Sequence, residues 1–197
     1  MLSSTECGAV ADMRVSRAEK ERSRERIVAG AARLVRERGI EGTSVADVMG
    51  EAGLTHGGFY RHFDAKDALL EEALRVAFDQ VTAGLEEALD RPGPEAAHRA
   101  HYLSQEHVDN PGIGCPMAAL GAEVARGPDA LKAGFGAGVE RVIGLLAQRL
   151  QGTDQERRAS AARDLAMLVG AVVIARASDP DTARAVLSAC RSGPGGA

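Results

Sequence analysis

Apolar residues recur at helical spacing along almost the whole chain, and glycine- and proline-containing breaks cut it into short amphipathic pieces. Ile27, Ala31, Leu34 and Val35 share one face of a first helix, predicted from about residue 16 to Arg38 and stopped by Gly39. Val45, Val48 and Met49 give a second helix its apolar face; Thr43 or Ser44 is placed to cap it and Gly53 to end it. After Leu54, Thr55 stands where a cap belongs for a third short helix running to His62. Phe63 reads as core. Asp64, with Asp67 three residues on, reads as the cap of a fourth helix to about Leu89, with Leu70, Leu74, Val81 and Leu85 along one side. Further breaks delimit helices near 94–109, 115–126, 129–151, 155–177 and 180–190, and Phe135, Val139, Val142, Ile143, Leu146 and Leu150 stripe the one at 129–151. No strand-like alternation occurs, so the pattern predicts an all-α fold of about nine helices.

The pieces group into a disordered N-terminal arm (1–15), a three-helix unit (16–64), a larger helical body (65–191) and a loose tail (192–197). Composition supports helices over sheets: 45% of residues are hydrophobic but only 3% aromatic, so the core is built from Ala, Leu and Val. Cys7, Cys115 and Cys190 are too few and too scattered for a disulfide framework, which fits a reducing cytoplasm. No secretory leader is visible, and the longest apolar run, 165–175, is too short to cross a membrane. A net charge of −4 argues against a nucleic-acid binder until its distribution is read. Residues 14–66 hold eleven Lys/Arg against eight Asp/Glu, a net of +3, and 67–197 carry −5. The basic end is where nucleic-acid contact would concentrate.

Thr43 to His62 reads as helix, glycine-containing turn, helix, the arrangement that lays a second helix in the DNA major groove. The stretch Gly42–Leu70, GTSVADVMGEAGLTHGGFYRHFDAKDALL, resembles the DNA-binding domain of TetR/AcrR-type transcriptional regulators, and the resemblance extends over roughly 20–75. It implies a helix-turn-helix DNA-binding domain followed by a helical regulatory and dimerisation domain. The partners implied are double-stranded DNA with a palindromic operator, a second copy of the chain and a small-molecule effector, in a cytoplasmic repressor with no cofactor. Thr43 and Thr55 can offer a hydroxyl or a helix N–H to phosphate, and His56 faces base edges. Gly57 and Gly58 serve either close backbone approach or simple steric room. Phe59 meets a thymine methyl or is buried. Tyr60 and His62 resemble the family's phosphate-contacting pair, and Lys66 its backbone clamp. Arg61 reaches phosphate or is merely solvated, and Arg14, Arg17 and Lys20 are candidates for contact by the arm.

In the body, LAMLVGAVVIARA (165–177) is apolar on nearly every side. That suits either a central helix or a dimer interface; the resemblance implies a four-helix dimer bundle from the last two helices, with Ala161, Leu165, Leu168, Val172 and Val186 as candidates. A ligand pocket is expected among Phe78, His98, His101, Tyr102, Gln105, Cys115, Met117, Glu123, Phe135 and Met167, although any one of these could equally be core or surface. Cys115 at a helix start is either a thiolate-based redox or electrophile sensor or an inert buried residue. His98, His101 and His107 lack a convincing fourth ligand for a metal. Two other classes remain. An enzyme would need a catalytic motif, and Gly134–Gly138 lacks dinucleotide-binding spacing. A protein-only adaptor would tolerate loss of Tyr60.

Overall fold

The computed structural model describes residues 4–90 and 94–192, and side chains within 17–90 and 95–191. Among these residues the chain forms nine α-helices, two 3-10 segments and no strand. Helix α1 spans Ser4–Arg38, so the expected arm is helical from Ser4 onward; residues 1–3, and the side chain of Arg14, lie outside the described set. Helix α2 is Val45–Glu51. Its cap is Ser44, in a reciprocal capping box with Asp47. Gly53, at φ +70°, turns the chain after α2 in a conformation that glycine adopts without strain.

The third helix is a 3-10 segment, His56–Arg61, and the Thr55 side chain makes no capping bond. Two consecutive glycines weaken α-helical preference there, by about 1 kcal/mol each relative to alanine. Helix α3 runs Lys66–Leu89 with Ala65 as its N-cap, so Asp64 and Asp67 do not form the expected cap. The helix expected over 94–109 is broken in two, α4 (Pro94–Tyr102) and α5 (Gln105–Asp109), because Ser104 caps a new start by accepting from the His107 N–H at 3.1 Å. A 3-10 turn at Pro111–Ile113 leads into α6 (Pro116–Val124). Then follow α7 (Asp129–Ala147), α8 (Asp154–Ala177) and α9 (Pro180–Ser192). None of the described helices is long and apolar enough to cross a membrane.

Two cores form. The smaller packs Ile27, Ala31 and Leu34 of α1 against Val48, Met49, Phe59 and Phe63. The larger fills the body with Leu74, Phe78, Leu120, Val142, Leu168 and Val172 among others. Helix α3 belongs to both: Leu69, Ala73 and Ala77 face the small core, and Leu70, Leu74 and Phe78 the large one. Where α3 and α7 cross, a Cβ on Gly138 would stand 2.3 Å from the Phe78 ring, and Phe135 meets that ring edge-on at 5.6 Å.

The large core also corrects the dimer residues. Ala161, Leu165, Leu168 and Val172 are all at most 5% exposed within one chain, so they pack on the face of α8 turned to its own body and offer little surface to a second copy. Val186 is half-buried against the same core. The outward face of α8 instead carries Ala166, Val173, Ile174 and Ala177, with Val173 43% and Ile174 47% exposed.

Candidate nucleic-acid interface and cavity

The 56–61 segment is held from beneath and open above. Phe59 is buried in the small core, stacked on Phe63 at 5.7 Å, so it anchors the segment and cannot reach a thymine methyl. Its neighbour Tyr60 meets the Phe59 ring edge-on at 5.3 Å and is 72% exposed. Thr55, His56 and Gly57 are exposed and Gly58 half-buried. A Cβ on Gly57 would meet nothing within 4 Å, and its φ is not left-handed, so no internal contact requires glycine there.

Thr43 is 1% exposed. Its hydroxyl donates to the Gly39 carbonyl at 2.8 Å and its N–H to Ile40 at 3.4 Å, so the residue closes the loop after α1 and has no donor left for phosphate. Lys66 is half-buried and donates one ammonium proton to the Ile40 carbonyl at 3.0 Å, which ties the start of α3 to the same loop.

Around His62 the sequence pattern is less informative than the fold. Arg24 donates to the His62 carbonyl, pairs with Glu72 and lies over the Phe63 ring at 4.2 Å. Burial, then the nearby charges of Lys20, Arg24 and Arg61, hold the His62 imidazole below the ordinary histidine range. Its Nδ1 is buried without a partner. Lys20 and Arg61 are exposed beside it, so α1 and the 56–61 segment share one cationic rim. Sequence spacing could not reveal this grouping, since Arg24 and His62 lie 38 positions apart.

A second feature lies in the body: a cavity of about 400 Å³ among α3, α4, the 113–117 stretch, α7 and α8. His98, His101, Tyr102, Cys115 and Met117 line it as expected. Phe78 and Phe135 do not, being occupied with one another at the α3–α7 crossing. Gln105 is exposed on α5, bonded to Asp109 at 2.9 Å, and Met167 sits against Arg99 instead. Glu123 accepts from the Ile40 N–H, linking α6 to the end of α1. Gln80, Gly84, Leu85, His107, Val142 and Leu165 also line the cavity, none of them expected there from the sequence.

Burial decides the chemistry of the wall. Cys115 is 2% exposed, and burial pushes its thiol up from the ordinary value, the Tyr102 hydroxyl beside it only partly opposing this. A reactive thiolate would need the opposite shift and an open path, so the sensor reading of Cys115 is not favoured. The Tyr102 phenol is likewise pushed well above its usual range by burial and then by the Cys115 thiol, the Arg176 charge only partly opposing this, and its hydroxyl is buried without a partner. His107 donates from Nδ1 to the Tyr102 carbonyl at 2.6 Å, since its Nε2 accepts from the Cys115 N–H at 3.1 Å. That assigns one neutral tautomer, consistent with the burial that lowers its pKa.

One buried cation joins the two regions. Arg36 of α1 is 4% exposed and, among the described residues, pairs with no carboxylate; burial lowers its pKa to about 10. It donates to the Ala32 carbonyl at 2.8 Å, to the Gly114 carbonyl at 3.0 Å and to Gln80 Oε1 at 2.7 Å. Gly114 and Gln80 both line the cavity.

Residues 27–73 match the family model for bacterial regulatory proteins, tetR family. An uncharacterised HTH-type transcriptional regulator of Mycobacterium tuberculosis strain H37Rv is 36% identical over 101 residues, 51% of this chain and 52% of that protein. The HTH-type transcriptional repressor KstR2 of Rhodococcus jostii is 41% identical over 51 residues, 26% of this chain and 25% of its own. The match thus spans about half the length of the first of these relatives and less of the second. Among solved structures, a TetR-family transcriptional regulator from Cytophaga hutchinsonii superposes with a TM-score of 0.72 at 20% identity, covering 88% of this chain and 94% of that one. The reduced form of Escherichia coli NemR gives 0.70 at 22%, covering 85% and 94%. These likenesses extend the shared fold through the helical body.

Proposed function

We propose that this chain, whose residues 27–73 match the tetR-family model, is a DNA-binding transcriptional regulator of that family, and specifically a cytoplasmic one-component repressor that binds a palindromic operator as a homodimer and leaves it when a small molecule fills the cavity. The observation that carries this reading is the 56–61 segment, anchored by buried Phe59, presenting His56, Gly57 and Tyr60 outward beside the rim of Lys20 and Arg61. Tyr60, His62 and Lys66 hold phosphate while His56 and the open face at Gly57 meet base edges. Thr55 lends its hydroxyl to the backbone contact.

A single short segment reads few base pairs, and each good bidentate contact gives roughly 1–3 kcal/mol of discrimination. Two copies are therefore needed, joined through the last two helices. Their contact is the outward stripe of α8, with Val173 and Ile174 at its centre and Gly170 allowing close approach, since a Cβ there would meet nothing of its own chain.

Ligand response runs from Gln80 and Gly114 through Arg36 into α1, and along α3, whose two faces serve both cores. A hundredfold loss of operator affinity requires about 2.7 kcal/mol of coupling, within the usual allosteric range. Selection of bound duplexes from random DNA tests the whole reading. An enriched inverted repeat, with affinity falling steeply as salt rises, is the expected result; no enrichment from a folded protein overturns it.

A further inference from the structure

We infer that the cavity takes an apolar ligand that ends in a carboxylate, the acid head accepting a hydrogen bond from the Tyr102 hydroxyl in the field of the Arg36 and Arg176 guanidiniums that back the wall. This rests on the reading of the cavity as a ligand site and names the class of ligand. The volume of about 400 Å³ lies toward the small end of ligand pockets. Leu85, Met117, Val142 and Leu165 give the body of the ligand an apolar wall.

Two positive charges stand behind one stretch of that wall. Arg36 donates to the Gly114 carbonyl and to Gln80 Oε1, and Arg176 donates to the His107 carbonyl at 2.8 Å and the Val108 carbonyl at 3.0 Å. Gly114, Gln80 and His107 are all lining residues, and both guanidiniums lie close enough to Cys115, another one, to act on its thiol. Among the described residues neither guanidinium pairs with a carboxylate; Glu37, whose charge bears on Arg36, is bonded to Arg33 at 2.5 Å. Burial lowers the pKa of both arginines, the mark of charges held with too little compensation. Glu87, the acidic lining residue, is exposed, where water and salt screen it. An anion in the cavity would supply the missing opposite charge, and a cation would be repelled.

Donors are left over at the same place. The Tyr102 hydroxyl is buried without a partner beside the Cys115 thiol, and Arg176 Nη1 is buried without an acceptor. A buried donor left unmade is costly. His107 cannot relieve the hydroxyl, because its Nε2 already accepts from the Cys115 N–H and its Nδ1 donates to the Tyr102 carbonyl. A carboxylate brings the acceptor that is lacking, and a hydrogen bond to an ionised acceptor is the stronger kind. A phosphate, with more oxygens to satisfy and up to two charges, would need more donors than one hydroxyl.

The test is direct titration of the full-length protein at pH 8 with three compounds of one shape: 2-naphthylacetate, 2-naphthylacetamide and 2-(2-naphthyl)ethylammonium. That pH lies above the ordinary histidine range, so the imidazoles of the wall add no charge to the comparison. The carboxylate should bind at least about tenfold more tightly than the amide, and the ammonium at least about a hundredfold more weakly than the carboxylate. Tyr102→Phe removes only the unpartnered hydroxyl. It should weaken the carboxylate roughly ten- to hundredfold and the amide less than about tenfold, the difference between a charged and a neutral acceptor. Its melting temperature without ligand should be unchanged or raised, because no bond is lost. Arg176→Gln, which keeps a donor and removes the charge, should shrink the preference for carboxylate over amide severalfold; should that variant fail to fold, Tyr102→Phe decides alone. Gly84→Phe should abolish binding of carboxylate and amide, because a Cβ at this exposed lining position points into open space and the ring would fill the mouth. The inference is overturned by an amide or ammonium that binds as tightly as the carboxylate, by a preference that survives Tyr102→Phe or Arg176→Gln unchanged, by binding that survives Gly84→Phe, or by no binding of any of the three. Binding in the expected order with no change in operator affinity would uphold the ligand class and count against the effector mechanism.

Discussion

Arg36 Nη2 and Gln80 Oε1 meet at 2.7 Å across the junction of α1 and α3, a bond between the helix that braces α2 and the 56–61 segment and a residue in the wall of the cavity. The guanidinium is buried with carbonyl and amide oxygens as its partners, so no opposite charge repays its loss of water. Such an arrangement is sensitive: a ligand that draws on Gln80 or displaces Gly114 changes the surroundings of a charge that has nowhere else to go.

Arg36→Met should therefore lower stability by about 2–3 kcal/mol, as the Gly114 carbonyl and Gln80 lose a charged donor, and should weaken the effect of ligand on operator affinity at least tenfold. Denaturant titration and operator binding with and without ligand measure the two effects. An unchanged ligand response in a folded Arg36→Met protein would exclude this route.

Glycine has different meanings at two positions. Gly57→Ala should leave the melting temperature unchanged or slightly raised, because the new methyl meets nothing in the protein, yet weaken operator binding severalfold by standing between backbone and base. Gly138→Ala should cost about 1–3 kcal/mol of stability, since the methyl would drive into the Phe78 ring and separate α3 from α7. Thermal melts and DNA titration of both variants separate the cases.

The two adjacent aromatics should divide in the same way. Tyr60→Phe removes only an exposed hydroxyl and is expected to reduce operator affinity about ten- to hundredfold, the worth of one hydrogen bond to a charged phosphate, with no change in melting. Phe59→Ala empties a buried, stacked position and should cost about 3–5 kcal/mol.

Val173→Glu combined with Ile174→Glu should yield a folded monomer with greatly reduced operator affinity, measured by light scattering and DNA titration. Both side chains face outward, so the monomer loses little packing. A variant that stays dimeric would mean that copies meet elsewhere.

Stability should fall on mild acidification. His98 and His107 have folded-state pKa values below the ordinary 6.5 because burial disfavours their charged forms. The unfolded chain then binds protons that the folded chain refuses, so this contribution is complete above about pH 6.5 and is lost as pH falls through that value toward the folded-state pKa. The capping carboxylates Asp47 and Glu156 are lowered from ordinary carboxylate values, so their share is lost only at more acid pH. Melting temperatures between pH 7.5 and 5 should therefore decline, and Gln at both histidine positions should reduce the decline to the share of His62, whose pKa is lowered as well.

Helix positions were legible wherever one local signal decided them. The cap expected at Thr43 or Ser44 falls on Ser44 and the stop falls at Gly53, both set by neighbours in sequence; the capping box Thr153–Glu156 that starts α8 is equally local but was not read from the sequence. The 56–61 segment was found by its flanks, but its 3-10 form depends on a glycine pair held over Phe59, a tertiary circumstance. On α8 the residue pattern offered apolar character on every side, and only the packed body settles that Leu165, Leu168 and Val172 face inward while Val173 and Ile174 face out. The cavity was half legible. His101 and Tyr102 stand out by residue type, whereas Gln80 and Gly84 become notable only beside Arg36 and an open mouth. Arg36 itself reads in sequence as one more arginine of a solvated helix; beyond the local Ala32 carbonyl, its two other acceptors lie 44 and 78 positions away.

Leu69 and Leu70 are chain neighbours that serve different cores. Grafting the head of this protein onto the body of another therefore has no clean seam in α3: a junction before Leu69 leaves the head without part of its own interior, and one after Leu70 imports a residue cut to fit a foreign body. Working chimeras of this protein should be those that carry the entire helix and remodel whichever partner it then meets.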